Sequence, residues 1–418
     1  MGEPVIFVNG RDPLIPYSGA ETYVRAAGRA AIRAGYEPHL FCVGESSHVT
    51  ETPFGVVHCT RTPFRPIRTL MAAAHGPLIV RAIERFAATL GGPCLIHSFG
   101  DWSGVAANAA RRLERSGHRC TLAATVWTTY AHETRGKLRG AGKAHGLATR
   151  IRLRCELGWT LIGIRPGVAR ALRRAEVVHV NYDSVRAIVA AEVGGHLRFR
   201  KTAYSPESAF LRESGERAPV PDFLTGLEPG GAPLIAAVSR HDARKGIDVL
   251  LHALALLRDG GVRFRACLAG GGELLERHRA LAAGLGLRSC TLLPGRIPDA
   301  LAVLDHADIF ALPSIEEGSG SLALLEAMQA GNAPVASRID GIPEDVIDGE
   351  SALLVPPGDP AALAHALRRL VEDAGLRSRI ACEARRAFRD RFSAARFAAE
   401  IGMMYSEIYA SPRSGERE

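Results

Sequence analysis

The chain has 418 residues, 47% of them hydrophobic, and a net charge of +8 from 52 Lys and Arg against 44 Asp and Glu. That length predicts two domains, and the apolar content excludes wholesale disorder. No run approaches the 18 apolar residues that would span a membrane.

The opening MGEPVIFVNGRDP meets an acid and a proline at once, so it does not read as a signal peptide. Eight cysteines, each at least 17 residues from the next, form no CxxC pair. They read as reduced thiols of a cytosolic protein, not as a disulfide frame or zinc site.

In chain order, short apolar runs alternate with longer helical patterns. VIFV (5–8), HLFCV (39–43), CLIH (94–97), TLAATV (121–126) and VVHV (177–180) form a first series of predicted strands. YSGAE (17–21) follows the first of them. HSFGDWSG (97–104) closes another, and there Asp101 is either an acceptor contact or a turn residue. TVWTTYAHE (125–133) carries Trp127, His132 and Glu133 at a further strand end.

Between Arg135 and Arg174 eleven Lys and Arg face one acid, Glu156. The local charge of +10 exceeds the excess of the whole chain. This segment suits an anionic lipid surface, a phosphorylated acceptor or nucleic acid, or is a solvated helical face. No aromatic platform accompanies it, so no specific nucleic-acid partner is expected.

Residues 212–231 are rich in Pro, Gly and charge, and read as a linker between a domain at 1–211 and another at 232–392. A second strand series follows: LIAAV (234–238), FRACLAG (264–270), CTLL (290–293), IFAL (309–312), PVAS (334–337) and ALLV (352–355). Such continuous apolar runs between helices predict parallel sheets covered on both faces. The expected class is α/β, with two Rossmann-like domains across a cleft and ligands beyond the carboxyl ends of the strands. The segment 393–418 reads as a final helix, with Phe397, Ile401, Met404 and Ile408 on one stripe, and a tail. This helix is expected to pack back on the first domain.

Three stretches of the second half carry chemistry. VSRHDARKG sets Arg240 and Lys245 past a strand end, where two cations suit a diphosphate. AGGGE (269–273) brings the bare backbone of Gly270 toward a ligand, or makes a tight turn. EEGSGSLALLEAM (316–328) places Glu316 and Glu317 before a loop of Gly318, Ser319 and Gly320. A helix then opens with Ser321 as N-cap and Leu322 as its first apolar residue. Its free N–H groups make a hydroxyl or anion site, and Glu326 rides in its first two turns.

These stretches, with APVASRIDGIPEDVIDGESALLVPPGD (333–359), resemble the nucleotide-sugar site of the retaining GT-B glycosyltransferases of family 4. The resemblance implies a nucleotide-diphosphosugar donor, most simply UDP-linked, and no metal or other cofactor. No D-x-D pair occurs to bridge a diphosphate through a metal. By the resemblance Arg240 and Lys245 meet the phosphates, Glu317 the sugar and Glu326 the ribose, while Gly19 lets the YSGAE backbone reach the donor.

Two departures stand out. Eight residues, not the usual seven, separate Glu317 from Glu326, which keeps Glu316 in contention for the sugar. Trp127 stands where the family often has a histidine, leaving His132 for the donor sugar or the acceptor, or as a plain polar residue. Asp101, Glu133 and Glu316 are the acceptor candidates.

Within the family, SIEEGSGSLALLEAMQAG is similar to enzymes that place N-acetylglucosamine on 2-deoxystreptamine in aminoglycoside antibiotic assembly. That implies UDP-N-acetylglucosamine and a small polar acceptor in the cytoplasm. The alternatives are a lipid or cell-envelope acceptor with residues 135–174 on an anionic membrane, a non-catalytic scaffold, and a nucleotide-sugar epimerase.

Overall fold

The computed structural model describes residues 2–15, 19–62, 70–144, 147–212, 217–225, 227 and 230–410, without the side chains of 139–144. Tyr17 and Ser18 of YSGAE, part of the basic segment, part of the linker and the tail 411–418 lie outside the described residues. The chain divides into two compact units. Unit 1 is Met1–Arg135, Ile151–Phe210 and Ala394–Glu418, and unit 2 is Gly136–Arg150 and Leu211–Ser393. Nothing in composition announces that 136–150 groups with unit 2.

Unit 1 holds β1 (Glu3–Val8), β2 (Tyr36–Gly44), β3 (His48–Thr52), β4 (Gly55–Arg61), β5 (Cys94–Phe99), β6 (Cys120–Thr125), β7 (Val177–Val180) and β8 (Phe199–Lys201). They form one sheet in the order β3-β4-β2-β1-β5-β6-β7-β8, parallel except for the β3–β4 pair. Val5 to Val8 are fully buried, as a strand covered on both faces requires. The last helix, Ala394–Ala410, packs on helix Gly19–Arg33, with Phe397, Ile401, Met404 and Ile408 buried.

A polar chain runs through this apolar layer. The Tyr405 hydroxyl lies 2.7 Å from His97 Nδ1, and His97 Nε2 lies 2.7 Å from Thr125 Oγ1. Thr125 Oγ1 is 2.8 Å from His179 Nδ1, and His179 Nε2 is 2.6 Å from Thr202 Oγ1. Every ring nitrogen is satisfied, which makes burial of both rings tolerable. Burial holds the pKa of His97 well below the usual value and that of His179 at about 3.

Unit 2 holds β9 (Leu234–Val238), β10 (Arg265–Ala269), β11 (Thr291–Gly295), β12 (Ile309–Leu312), β13 (Ala333–Ser337) and β14 (Leu353–Val355), all parallel, in the order β11-β10-β9-β12-β13-β14. Local signals set its helices. Asp359 caps helix Pro360–Glu372, accepting from Ala361 N and Ala362 N, and Pro360 fills a position whose N–H would be unsatisfied. Leu250, Leu254 and Leu367 bury their side chains against Ile235, Leu268 and Val335.

The strand order reverses between β9 and β12 in unit 2, and between β1 and β5 in unit 1. Ligands of doubly wound sheets bind beyond the carboxyl ends at such a reversal. Gly19 opens helix Gly19–Arg33 on the connection after β1, and Asp101 sits directly after β5.

Candidate functional site

Unit 2 gathers its chemistry at the β9/β12 reversal. After β9 the chain presents Ser239, Arg240 and Lys245. After β12 it presents Ser314, Glu316 and Glu317. Lys245 Nζ lies 2.7 and 2.6 Å from the two carboxylate oxygens of Glu317, whose side chain is only 5% exposed. Ser314 donates to Oε1 of the same carboxylate at 2.5 Å. Arg240 is half-exposed and pairs with Asp242 at 3.0 Å. The Ser239 hydroxyl is a buried donor without a partner among the described residues.

The loop behind Glu317 is held from outside. Asp340 Oδ2 accepts from Glu317 N and Gly318 N, each at 2.8 Å, and Gly341 N donates to Ser319 O at 3.1 Å. Asp340 has φ +46°, the one non-glycine residue in the left-handed region among those described. Asp and Asn tolerate that region better than other side chains, and outliers of this kind collect at functional sites.

Gly318 itself has φ +78°. Ser319 Oγ turns to Gly320 O, and Ser321 caps helix Leu322–Ala330 by accepting from Leu324 N. Leu322 opens that helix, and Glu326 sits half-buried in its second turn.

Glu316 takes another course. Its Oε2 lies 1.4 Å from where a Cβ on Gly136 would stand, so the carboxylate occupies the space a side chain would need there. Gly136 belongs to unit 2 with Glu316. The extra loop residue therefore leaves Glu317, not Glu316, against Lys245.

Gly270 has φ +146°, and a Cβ on it would fall 1.8 Å from Ser239 O. The packing of the β9 end against β10 already demands glycine there. Beneath, His241 and His278 share a hydrogen bond at 3.0 Å, and burial pushes the pKa of His241 down to about 4.

In unit 1, Asp101 lies in a 3-10 turn, Gly100–Trp102, that leads into helix Ser103–Arg115. His132, read from sequence as a loop residue, is instead in the first turn of helix Tyr130–Ala144, where its N–H donates to Thr129 Oγ1. The buried Glu133 follows it. The signal was Thr129, a capping residue ahead of an acid in the first turn. Trp127 packs edge-on to Tyr23 and along Phe99, and covers Gly100. Its Nε1 is buried without a partner among the described residues. Away from these residues, Asp12, His48 and Cys59 bring one ligand atom each within 4.8 Å of one another, a mixed set able to hold a metal.

Sequence reasoning missed Ser239, Ser314 and Asp340. Only the Asp340–Gly341 pair, a turn signal, could have pointed to any of them.

Residues 225–387 match the family model Glycosyl transferases group 1, and residues 17–194 match Glycosyltransferase Family 4. The two matched stretches lie one in each half of the chain. A D-inositol 3-phosphate glycosyltransferase of Corynebacterium efficiens is 38% identical over 195 residues, covering 45% of this chain and 46% of that protein. A GDP-mannose-dependent alpha-(1-6)-phosphatidylinositol monomannoside mannosyltransferase of Mycolicibacterium smegmatis is 30% identical over 236 residues, covering 52% and 59%. The chain thus spans about half the length of the curated relatives it matches.

In fold, the chain is similar to sucrose-phosphate synthase from Thermosynechococcus elongatus, with a TM-score of 0.73 at 23% identity over 98% of this chain and 100% of that one. It is also similar to Anabaena HepE in complex with UDP-glucose, with a TM-score of 0.66 at 19% identity over 97% and 99%.

Proposed function

We propose that the chain transfers a glycosyl group from a nucleotide diphosphosugar to a hydroxyl acceptor with retention of configuration. The observation that carries this is the Lys245–Glu317 pair at the β9/β12 reversal, beside a loop pinned by Asp340. An ammonium has three N–H donors, and the Glu317 oxygens account for two contacts. The third is available to a phosphate oxygen.

As the anomeric bond breaks, negative charge grows on the departing β-phosphate, and Lys245 and Arg240 stabilise it without a metal. Glu317 accepts from donor hydroxyls, and Glu326 from the ribose. The N–H groups at the start of helix Leu322–Ala330, with Gly318 to Ser321, cradle the donor. Ser239 adds an unused hydroxyl at the same strand end.

For the donor we favour UDP-N-acetylglucosamine, and for the acceptor a cyclitol such as 2-deoxystreptamine, with Asp101, His132 and Glu133 on the acceptor side. The relatives that act on inositol 3-phosphate, also a cyclitol, support this choice. A lipid-borne acceptor is the second reading. It is favoured by an apolar groove of unit 1 that Asp101 helps to line.

Thermal shifts in EDTA with UDP, GDP, ADP and their sugars test the donor. A ligand at a hundred times its dissociation constant should stabilise by about 2.7 kcal/mol. Stabilisation by a nucleotide and its sugar is expected, and no shift with any of them removes the reading. Product analysis then separates the alternatives, because an epimerase converts the donor without an acceptor and a scaffold turns nothing over.

Asp340→Ala should raise the donor KM about tenfold, the loss expected when charge-assisted hydrogen bonds to the loop disappear. Its kcat should change far less. Steady-state kinetics with unchanged KM would remove the loop from the donor site.

A further inference from the structure

From Ile151 onward unit 1 carries an unbroken helical run. It consists of the end of helix Leu147–Trp159, a π-helical turn Thr160–Ile164, and helix Arg165–Arg174. Ile151, Cys155, Trp159 and Ile162 recur at spacings of four, four and three, and so share one face.

That face is turned to solvent. Ile162 is 80% exposed, Ile151 51% and Trp159 45%, while Leu153 and Thr160 on the opposite side are buried. Apolar residues scattered singly over a surface need no explanation, but a contiguous helical stripe does. Arg152, Arg154 and Arg165 flank the stripe and are exposed, with Glu156 the one acid between Arg135 and Arg174.

Beside the stripe lies a groove of about 340 Å³, walled by helix Met71–Ala87, by helix Ser103–Arg115 and by the run itself. Small residues open it: Ala72, Gly76, Gly104 and Gly167. A Cβ on Gly167 would meet nothing within 4 Å. The Trp159 ring lies across Gly163 at the edge, 3.0 Å from an ideal Cβ there. Asp101 and Asn108 supply polar atoms among otherwise apolar walls.

We propose that this groove takes one hydrocarbon chain of an anionic phospholipid, and that the stripe docks unit 1 on a bilayer surface. A tryptophan at the edge of an apolar patch suits the membrane interface, where its ring is half in hydrocarbon and its N–H in water. Arginines around the patch match lipid phosphates in charge and geometry. The charge complementarity, the exposed apolar stripe and the groove continuous with it select a bilayer lipid over a soluble anion. A soluble anion would use the arginines and leave the apolar features idle. No helix among the described residues is long and apolar enough to cross a membrane, so the contact is a surface one. The inference holds for either acceptor and is tested without nucleotide.

The full chain is mixed at low salt with vesicles of phosphatidylcholine alone, or with equal parts of phosphatidylglycerol, and sedimented. Binding to the anionic vesicles only, lost at about 0.5 M salt, is the expected result. Ile162→Asp should weaken it at least about tenfold, and Arg152→Gln with Arg154→Gln by about twenty-fivefold, at roughly fivefold for each charge removed. Brominated phosphatidylglycerol chains should quench tryptophan fluorescence in the wild type, and Gly167→Leu, which fills the groove, should reduce the quenching to the share of Trp159 at the bilayer surface. Unchanged melting temperatures and far-ultraviolet circular dichroism in each variant would show the fold intact. No sedimentation with anionic vesicles, binding indifferent to Ile162→Asp, or quenching at the wild-type level in Gly167→Leu would each overturn the proposal.

Discussion

Lys245→Met should lower kcat/KM by two to three orders of magnitude, the loss of about 3–4 kcal/mol expected when a group aimed at developing charge is removed. It should also destabilise unit 2 by up to about 3 kcal/mol. Glu317 is nearly buried, and without Lys245 its charge keeps, among the described residues, only the Ser314 hydroxyl. The two effects separate in the double variant. Lys245→Met with Glu317→Gln replaces a stranded carboxylate by a neutral amide, so stability should return while turnover stays lost. Initial rates and urea midpoints on the two variants check this. A single variant within threefold of the wild-type rate removes Lys245 from the chemistry. A double variant as unstable as the single one shows that the pair is not the source of the stability loss.

The Lys245–Glu317 pair was half legible in the sequence. Both residues follow apolar runs that announce β9 and β12, because strands buried on both faces must be continuously apolar. Their contact needs the strand order, in which β12 lies beside β9 although 72 residues separate the partners. No local pattern encodes that neighbourhood.

Asp340 was less visible still. An Asp–Gly pair marks a turn, but only the folded loop shows its carboxylate bridging two backbone N–H groups. Spacing also does not tell which of Glu316 and Glu317 pairs with Lys245; in the fold Glu317 does, while the side chain of Glu316 lies against Gly136.

Three strands escaped the sequence reading: GVVHCTR, inside the sheet, alternates buried with half-buried residues and lacks a continuous apolar run, and the other two share a cause. HVTET and FRK, at the two edges of the sheet in unit 1, are polar, and none of their residues is fully buried. Edge strands lack the apolar signature that identifies central ones, and charge on them blocks pairing with another chain. The final helix was plain to read by contrast, because its apolar stripe repeats at helical spacing over about three turns.

The buried chain from Tyr405 to Thr202 predicts a second large effect, an acid instability of unit 1. In the folded state His97 and His179 are fully buried and neutral, each ring held between hydroxyls. The unfolded chain protonates the same rings near pH 6.5. A depressed folded-state pKa means that the unfolded state binds more protons as pH falls, so the stability these rings allow is complete above about pH 7. It is lost as pH falls from about 6.5 toward the folded value, about 3 for His179.

Two such rings together should cost about 4 kcal/mol at pH 5, before most surface carboxylates begin to titrate. Arg200, whose charge also lowers the pKa of His179, makes protonation in place harder still. Urea unfolding followed from pH 8 to 5 should show a midpoint that falls steadily below pH 6.5. His97→Gln keeps a donor and an acceptor in the chain but cannot titrate. It should be less stable than the wild type at pH 8, yet lose about 2 kcal/mol less on acidification to pH 5. A flat profile in the wild type, or an unchanged slope in His97→Gln, would show that the rings protonate in place and that the hydroxyl chain does not hold them neutral.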